Sequence, residues 1–340
     1  MPLLSTDFHL YQVSWIFSQQ NDTHCDLTLS TRRIATPQTI TKITHLEYNR
    51  ATHHAAEALN NLSDYNSSTP KVVAVLATAD TLVYAAVFVG TLRAGLVPFF
   101  LSPAIAPTAL VSLMQSTGST RILTSLIISP RYTYLALACA SRHSFPTLAQ
   151  KPAIILSKPF GQTIAKSDVE SDVYWYLHSS GSTGVPKAIP HTRRSFISWG
   201  DRDYIRLWRN DPVPPCLGNM ALSLYNTLGI AAGIITPLMC GSTAAIFSPI
   251  VRGAQLLPYT PLPGAIIDHA RRSKCDGIVG APVLAHAWSQ SADALKYLIT
   301  LMFVFYAGSA LLPKIGGYMA SQGVPLVCSY GLTESGAFWI

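Results

Sequence analysis

The run Lys71–Leu101, KVVAVLATADTLVYAAVFVGTLRAGLVPFFL, most restricts what this chain can become. It is apolar enough to raise the question of a membrane span, for which ~20 mostly apolar residues suffice. Yet Asp80 and Arg93 stand inside it, Pro98 lies near its end, and its character changes along the way. Val72–Val75 is continuous and β-branched, as in a strand covered on both faces. Thr81–Leu96 reads as a helix closing on Gly95, and Val97–Leu101 as a second strand. A strand–helix–strand unit accounts for the run without lipid, and no transmembrane segment is expected. The N-terminus, MPLLSTDFHLYQVSW, has no basic start and no clean apolar stretch, so no secretory signal is read.

The same alternation continues along the chain. Strand-length apolar runs fall at Arg121–Thr124, Ala153–Leu156, Val173–His178, Ala244–Phe247, Gly277–Val279, Met302–Tyr306 and Pro325–Ser329. Segments of helical periodicity lie between them, at Pro107–Gln115, Arg194–Trp208, Gly229–Met239, Ala265–Lys274 and Pro313–Ser321. This order predicts an α/β fold with mostly parallel sheets flanked by helices, right-handed crossovers, and ligands at the carboxyl ends of the strands. Its 340 residues suit one large domain or two ordinary ones, at ~100–200 residues each. Charged residues make up 12%, half of the ~25% usual for soluble domains, and hydrophobic residues 49%, which excludes intrinsic disorder.

The charge balance is basic, with 24 Lys+Arg against 17 Asp+Glu, a net +7. Arg193, Arg194, Arg202, Arg206 and Arg209 invite a nucleic-acid reading. There is no run of five like charges and no aromatic-interleaved basic stripe, and Asp201, Asp203 and Asp211 sit among these arginines. A solvated helix face is the better account, no nucleic-acid partner is expected, and a small polyanionic ligand fits the charge equally well. Six cysteines are scattered without a C-x-x-C pair, so reduced thiols in a cytoplasmic compartment are expected. His24–Cys25, His53–His54 with Glu57, and His269 with Cys275 are too isolated for a zinc site.

The most informative chemistry lies in Val173–Lys187, VYWYLHSSGSTGVPK. A strand runs straight into Ser179, Ser180, Gly181, Ser182, Thr183 and Gly184, and Lys187 follows Val185-Pro186. The two glycines permit a tight turn whose N–H groups point at an anion; the hydroxyls and the lysine add donors suited to phosphate oxygens. It is not a Walker A loop, because Val-Pro separates Gly184 from Lys187. An ordinary Ser/Gly surface loop is the competing reading, made weaker by the strand before and the Pro-Lys after.

Ser-Ser-Gly-Ser-Thr-Gly-Val-Pro-Lys resembles the ATP phosphate loop of the adenylate-forming superfamily, which includes acyl-CoA synthetases and the adenylation domains of nonribosomal peptide synthetases. Four further segments resemble that family in the right order. Leu92–Pro98 is similar to its early Lys/Arg-Ala-Gly segment, and Leu224–Gly229 stands where it has an aromatic–His segment. Tyr306–Leu311, with Gly308 and Ser309, is similar to its adenosine-binding turn, and Ser329-Tyr330-Gly331-Leu332-Thr333-Glu334 to its Tyr-Gly-x-Thr-Glu motif. On this resemblance the chain divides into an extension at 1–30 and an adenylation domain at 31–340 that is incomplete at its C-terminus. It would be the large N-terminal subdomain, with the C-terminal lid absent.

The resemblance implies ATP-dependent activation of a carboxylic acid to an acyl-adenylate with release of pyrophosphate. The acyl group would then pass to the thiol of coenzyme A or of a carrier protein's phosphopantetheine. Lys187, Thr333 and Glu334 would be catalytic, with Thr333 donating to the α-phosphate. Ser179 to Gly184, Gly308, Ser309, Ser329 and Tyr330 would join Lys187 and Thr333 in holding the nucleotide, Tyr330 by stacking on adenine. Glu334 would be the Mg²⁺ ligand, and Asn226 with Gly308 would face the acid. The chain departs from the family at Ala188, Ala307, Cys328 and Asn226. Asn226 carries no charge to pair an α-ammonium, so an aryl or other simple carboxylic acid is expected in preference to a free amino acid. A truncated, non-catalytic nucleotide-binding remnant is the alternative reading.

Overall fold

The structure, a computed structural model, describes residues 15–18, 40–60, 72–77, 81–124, 141–144, 172–179, 186–247 and 262–339. The expected strand Ala153–Leu156 and the loop residues Ser180, Gly181, Ser182, Thr183 and Gly184 lie outside these, as does most of 1–30.

The run 71–101 folds as a strand, a helix and a strand. β3 (Val72–Leu76) and β4 (Val97–Phe100) pair in parallel across the crossover helix Thr81–Arg93. That helix is apolar on nearly every face because it is covered on nearly every face, with Val83 to Phe88 all buried. Its closest partner is the helix His45–Asn60. A Cβ at Gly90 would stand 2.5 Å from Ala55 Cβ and 2.9 Å from Ala56 N, so glycine permits the close approach. The Tyr48 hydroxyl donates to Ala85 O at 3.0 Å, and Arg93 donates to Asn49 Oδ1 at 2.6 Å. A neighbouring helix therefore accepts a hydrogen bond from the guanidinium inside the apolar run. Among the described residues no helix is long and apolar enough to cross a membrane.

The described residues build two sheets. The smaller, in the order β6-β5-β3-β4-β7-β8, adds β5 (Arg121–Thr124), β6 (Ser141–Ser144), β7 (Val173–His178) and β8 (Ala188–Thr192). Only the β7–β8 hairpin at its edge is antiparallel. The larger sheet runs β14-β13-β12-β11-β9-β10-β1-β2. Its strands are β1 (Trp15–Ser18), β2 (Ile40–Ile43), β9 (Cys216–Gly218), β10 (Thr243–Phe247), β11 (Gly277–Gly280), β12 (Phe303–Tyr306), β13 (Leu326–Leu332) and β14 (Gly336–Trp339). From β10 across to β13 every pair is parallel, so their carboxyl ends share one edge.

Two expected helices differ in form. Arg194–Trp208 is two helices, Arg193–Gly200 and Asp203–Arg209. The break follows from packing: a Cβ at Gly200 would lie 2.4 Å from Met239 Cε, and Arg209 donates to Gly200 O at 3.0 Å and Met239 O at 2.8 Å. Arg209 thus tethers two helix ends, whereas exposed Arg206 pairs with Asp201 at 2.6 Å in the solvated manner expected. Residues 229–239 belong to one continuous helical segment, Thr227–Ile230, a π turn at Ala231–Ile235, then Thr236–Cys240. Pro237 cannot donate to the carbonyl four residues back, and the wider turn absorbs that loss.

Candidate functional site

Most of the motifs stand at or just beyond strand ends. β7 ends at His178, whose Nε2 accepts from Ser102 N at 3.0 Å just beyond β4. Burial lowers the pKa of this imidazole, which keeps it a neutral acceptor. Ser179 N then donates to Lys187 O at 3.0 Å, closing the neck of the loop between β7 and β8. Lys187 is exposed and forms no ion pair among the described residues.

On the larger sheet β12 delivers Gly308 and Ser309. Ala307 N donates to Gly280 O at 3.2 Å, joining the ends of β11 and β12. Gly308 turns away with φ +98°, a conformation that favours glycine, and Ser309 after it is exposed. Cys328 of β13 is the register partner of Tyr306 of β12, and their side chains hydrogen-bond.

β13 runs three residues past the expected strand and turns back antiparallel as β14, with Leu332 opposite Gly336. Thr333, Glu334 and Ser335 form the turn, closed by Ser335 N donating to Leu332 O at 3.2 Å. Gly336 follows at φ +78°, as a three-residue hairpin loop requires. Ser329 is buried, while Tyr330 is 57% exposed and presents its ring to solvent. Glu334 is exposed and unpaired among the described residues. No group of three His, Cys, Asp or Glu there could hold a metal by itself. A lone carboxylate suits a hard cation that brings most of its oxygens from phosphate and water, as Mg²⁺ does.

Asn226 is the N-cap of the Thr227–Ile230 helix, yet its side chain makes no capping bond. The amide is left uncommitted at the helix end. The turn before it is fixed by Gly229, where a Cβ would stand 2.0 Å from Ser223 O. The same helix packs against β14, which sets Asn226 beside the Tyr330 hairpin. Trp208, Leu228, Ala231, Ala232, Val279 and Phe305, among others, line an apolar recess of about 20 Å³, room for about one water. Trp208 stacks on Phe303 at 5.7 Å and 18° to form one wall.

Asn219 was not legible as a site residue. It follows β9, is buried, and donates from Nδ2 to Ala232 O at 2.8 Å, a carbonyl within the π turn. It therefore ties the end of β9 to that turn. A lone asparagine after a three-residue strand gives no sequence signal. Trp199 was also missed, because nothing in the order of residues shows that it meets Gly336.

Parallel-rich sheets flanked by helices, with Lys187, Gly308, Thr333 and Glu334 at or beyond strand ends, define an α/β protein. The chain belongs to the family of AMP-binding enzymes, which it matches over residues 17–340. The adenylate-forming reductase Nps11 of Serpula lacrymans var. lacrymans (strain S7.9) is 32% identical over 313 residues, 87% of this chain and 28% of that protein. The benzoate–CoA ligase of Thauera aromatica is 24% identical over 78% of this chain and 49% of the ligase. Among solved structures, the N-terminal subdomain of Klebsiella oxytoca NpsA superposes with a TM-score of 0.67 at 15% identity, covering 88% of this chain and 71% of that one. The fold is that of the N-terminal subdomain of adenylate-forming enzymes.

Proposed function

We propose that this chain binds ATP across the two hairpins and activates a small carboxylic acid as its acyl-adenylate. The observation that carries the proposal is the placement of an uncommitted lysine, Lys187, at the neck of a loop after a parallel strand, as in a phosphate-binding turn. Tyr330, Thr333 and Glu334 stand on a second hairpin. In this reading Tyr330 stacks on adenine, Gly308 and Ser309 flank the nucleoside, Thr333 donates to an α-phosphate oxygen, and Lys187 neutralises charge on the phosphates. Glu334 would hold Mg²⁺, whose chemistry is to neutralise charge on the phosphate oxygens.

A carboxylate attacking phosphorus needs no general base, so positioning and charge neutralisation carry the step. Asn226 can donate to the acid's carboxylate. The benzoate–CoA ligase among the relatives supports an aryl acid, and coenzyme A as acceptor. A carrier-protein phosphopantetheine is the other acceptor we propose.

Acid-dependent ATP–pyrophosphate exchange tests the proposal, with benzoate and short aliphatic acids as substrates. Exchange by the chain supports activation; ATP binding without exchange under any acid would favour the non-catalytic nucleotide-binding reading instead.

A further inference from the structure

One indole ring touches both hairpins. Trp199, near the end of the Arg193–Gly200 helix, is 5% exposed. Its ring stands edge-on to Trp175 of β7 at 5.6 Å and 81°, and to His191 of β8 at 5.0 Å and 73°. Trp175 and His191 are register partners and stack at 4.8 Å with an interplanar angle of 9°. Its helix starts directly after β8, with the Thr192 hydroxyl capping Ser195 N at 3.2 Å, so little backbone freedom separates ring from hairpin.

The indole also lies on Gly336. A Cβ there would fall 2.5 Å from Cε2, 2.6 Å from Nε1 and 3.0 Å from Cδ2 of Trp199. No side chain fits between ring and backbone, and φ +78° at Gly336 disfavours one in any case. Gly336 lies two residues after Glu334 and closes the turn that carries Thr333 and Glu334. The ring is therefore a rigid spacer in contact with β7 and β8 and with the β13–β14 turn. Cores of this density do not deform continuously.

We propose that Trp199, seated on Gly336, is a positioning residue that sets the spacing between the Lys187 hairpin and the Thr333–Glu334 hairpin, so that a nucleoside triphosphate can bridge them. This inference rests on the nucleotide reading above and adds to it a residue that touches no ligand. A spacer of this kind makes a distinctive demand. A ligand that spans both hairpins depends on it, whereas a ligand held by one hairpin does not.

The test compares MgATP, AMP and inorganic tripolyphosphate by titration calorimetry on the full chain. The variants are Trp199→Phe, which keeps a ring in the aromatic stack but withdraws the fused edge, and Trp199→Leu, which withdraws the ring and leaves Gly336 and its turn unaltered. The expected result is a loss of about tenfold or more in ATP affinity in each variant, since displacements near 1 Å are costly to aligned sites. AMP and tripolyphosphate should change by less than about twofold, the size of an unperturbed contact. Parallel weakening of all three ligands would overturn the inference, because it would mark a general loss of structure. Unchanged ATP affinity in both variants would overturn it as well. No ATP binding by the unmodified chain would overturn the nucleotide reading and this inference with it.

Discussion

At Gly229 the choice of residue is dictated by backbone rather than by conformation. A methyl group there meets the carbonyl oxygen and carbon of Ser223 at 2.0 and 2.6 Å, and neither can rotate aside. Gly229→Ala is expected to destabilise the chain at the upper end of the ~1–3 kcal/mol typical of overpacking. Urea denaturation would show it as a lowered midpoint. At Ala232 the constraint is volume, because its side chain is buried beside a recess with room for about one water. Ala232→Phe should overpack the core and lower the urea midpoint, at a cost of ~1–3 kcal/mol. An unchanged midpoint would show that the recess accommodates the ring.

His191 adds a pH dependence whose sign follows from its surroundings. It is 1% exposed, and neither ring nitrogen has a hydrogen-bond partner among the described residues. Burial lowers its pKa to about 4, and burial, first, with Arg272 lowers that of His269 to about 4. The unfolded chain takes up these protons near pH 6.5, so the contribution is complete above that pH and is lost as pH falls toward 4. Each histidine should remove about 2 kcal/mol of stability by pH 5 relative to pH 7. His191→Phe, which preserves the stack on Trp175, should flatten part of that slope. An unaltered slope would mean that His191 titrates alike in the folded and unfolded chains.

Among the elements, the contrast between two arginines of one short helix is the informative one. Arg209 donates to carbonyls at the ends of two helices, whereas Arg206 reaches exposed aspartates. Arg209→Ala leaves part-buried carbonyls without a donor and should cost about 2–3 kcal/mol in chemical denaturation, as for hydrogen bonds from charged groups. Arg206→Ala should leave the midpoint unchanged, since exposed ion pairs are screened. From sequence the two looked alike, because charge patterning does not report which carbonyl lies within reach.

The same distinction explains which elements were legible. Val72–Leu76, Arg121–Thr124, Val173–His178 and Pro313–Ser321 stand where their own residues place them. β8 contains Pro190 and exists because β7 pairs with it at the sheet edge, where proline is tolerated. β9 is three residues long and gains its identity from β10 and β11 on either side. The Tyr330 and Thr333 segment was visible as a motif, but its form as a hairpin depends on Gly336 and Trp199, which are far apart in sequence.

For the whole molecule, the two sheets bring together segments more than a hundred residues apart, from Ser179 to Glu334. The apolar excess that raised a membrane question is the cost of covering parallel strands on both faces. The basic charge is partly paired locally, by Asp201 at Arg206 and by Asp293 at Arg271. Lys187 is left exposed at the loop neck, where a polyanion would find it.

That placement makes Lys187 the point on which the account turns. Titration calorimetry of MgATP into the chain and into its Lys187→Ala variant measures it directly. Saturable binding that weakens by about tenfold or more in the variant, the value of a charge-assisted phosphate contact, is the predicted result. An identical dissociation constant in the two proteins would contradict it, and would remove the phosphate loop from the nucleotide site.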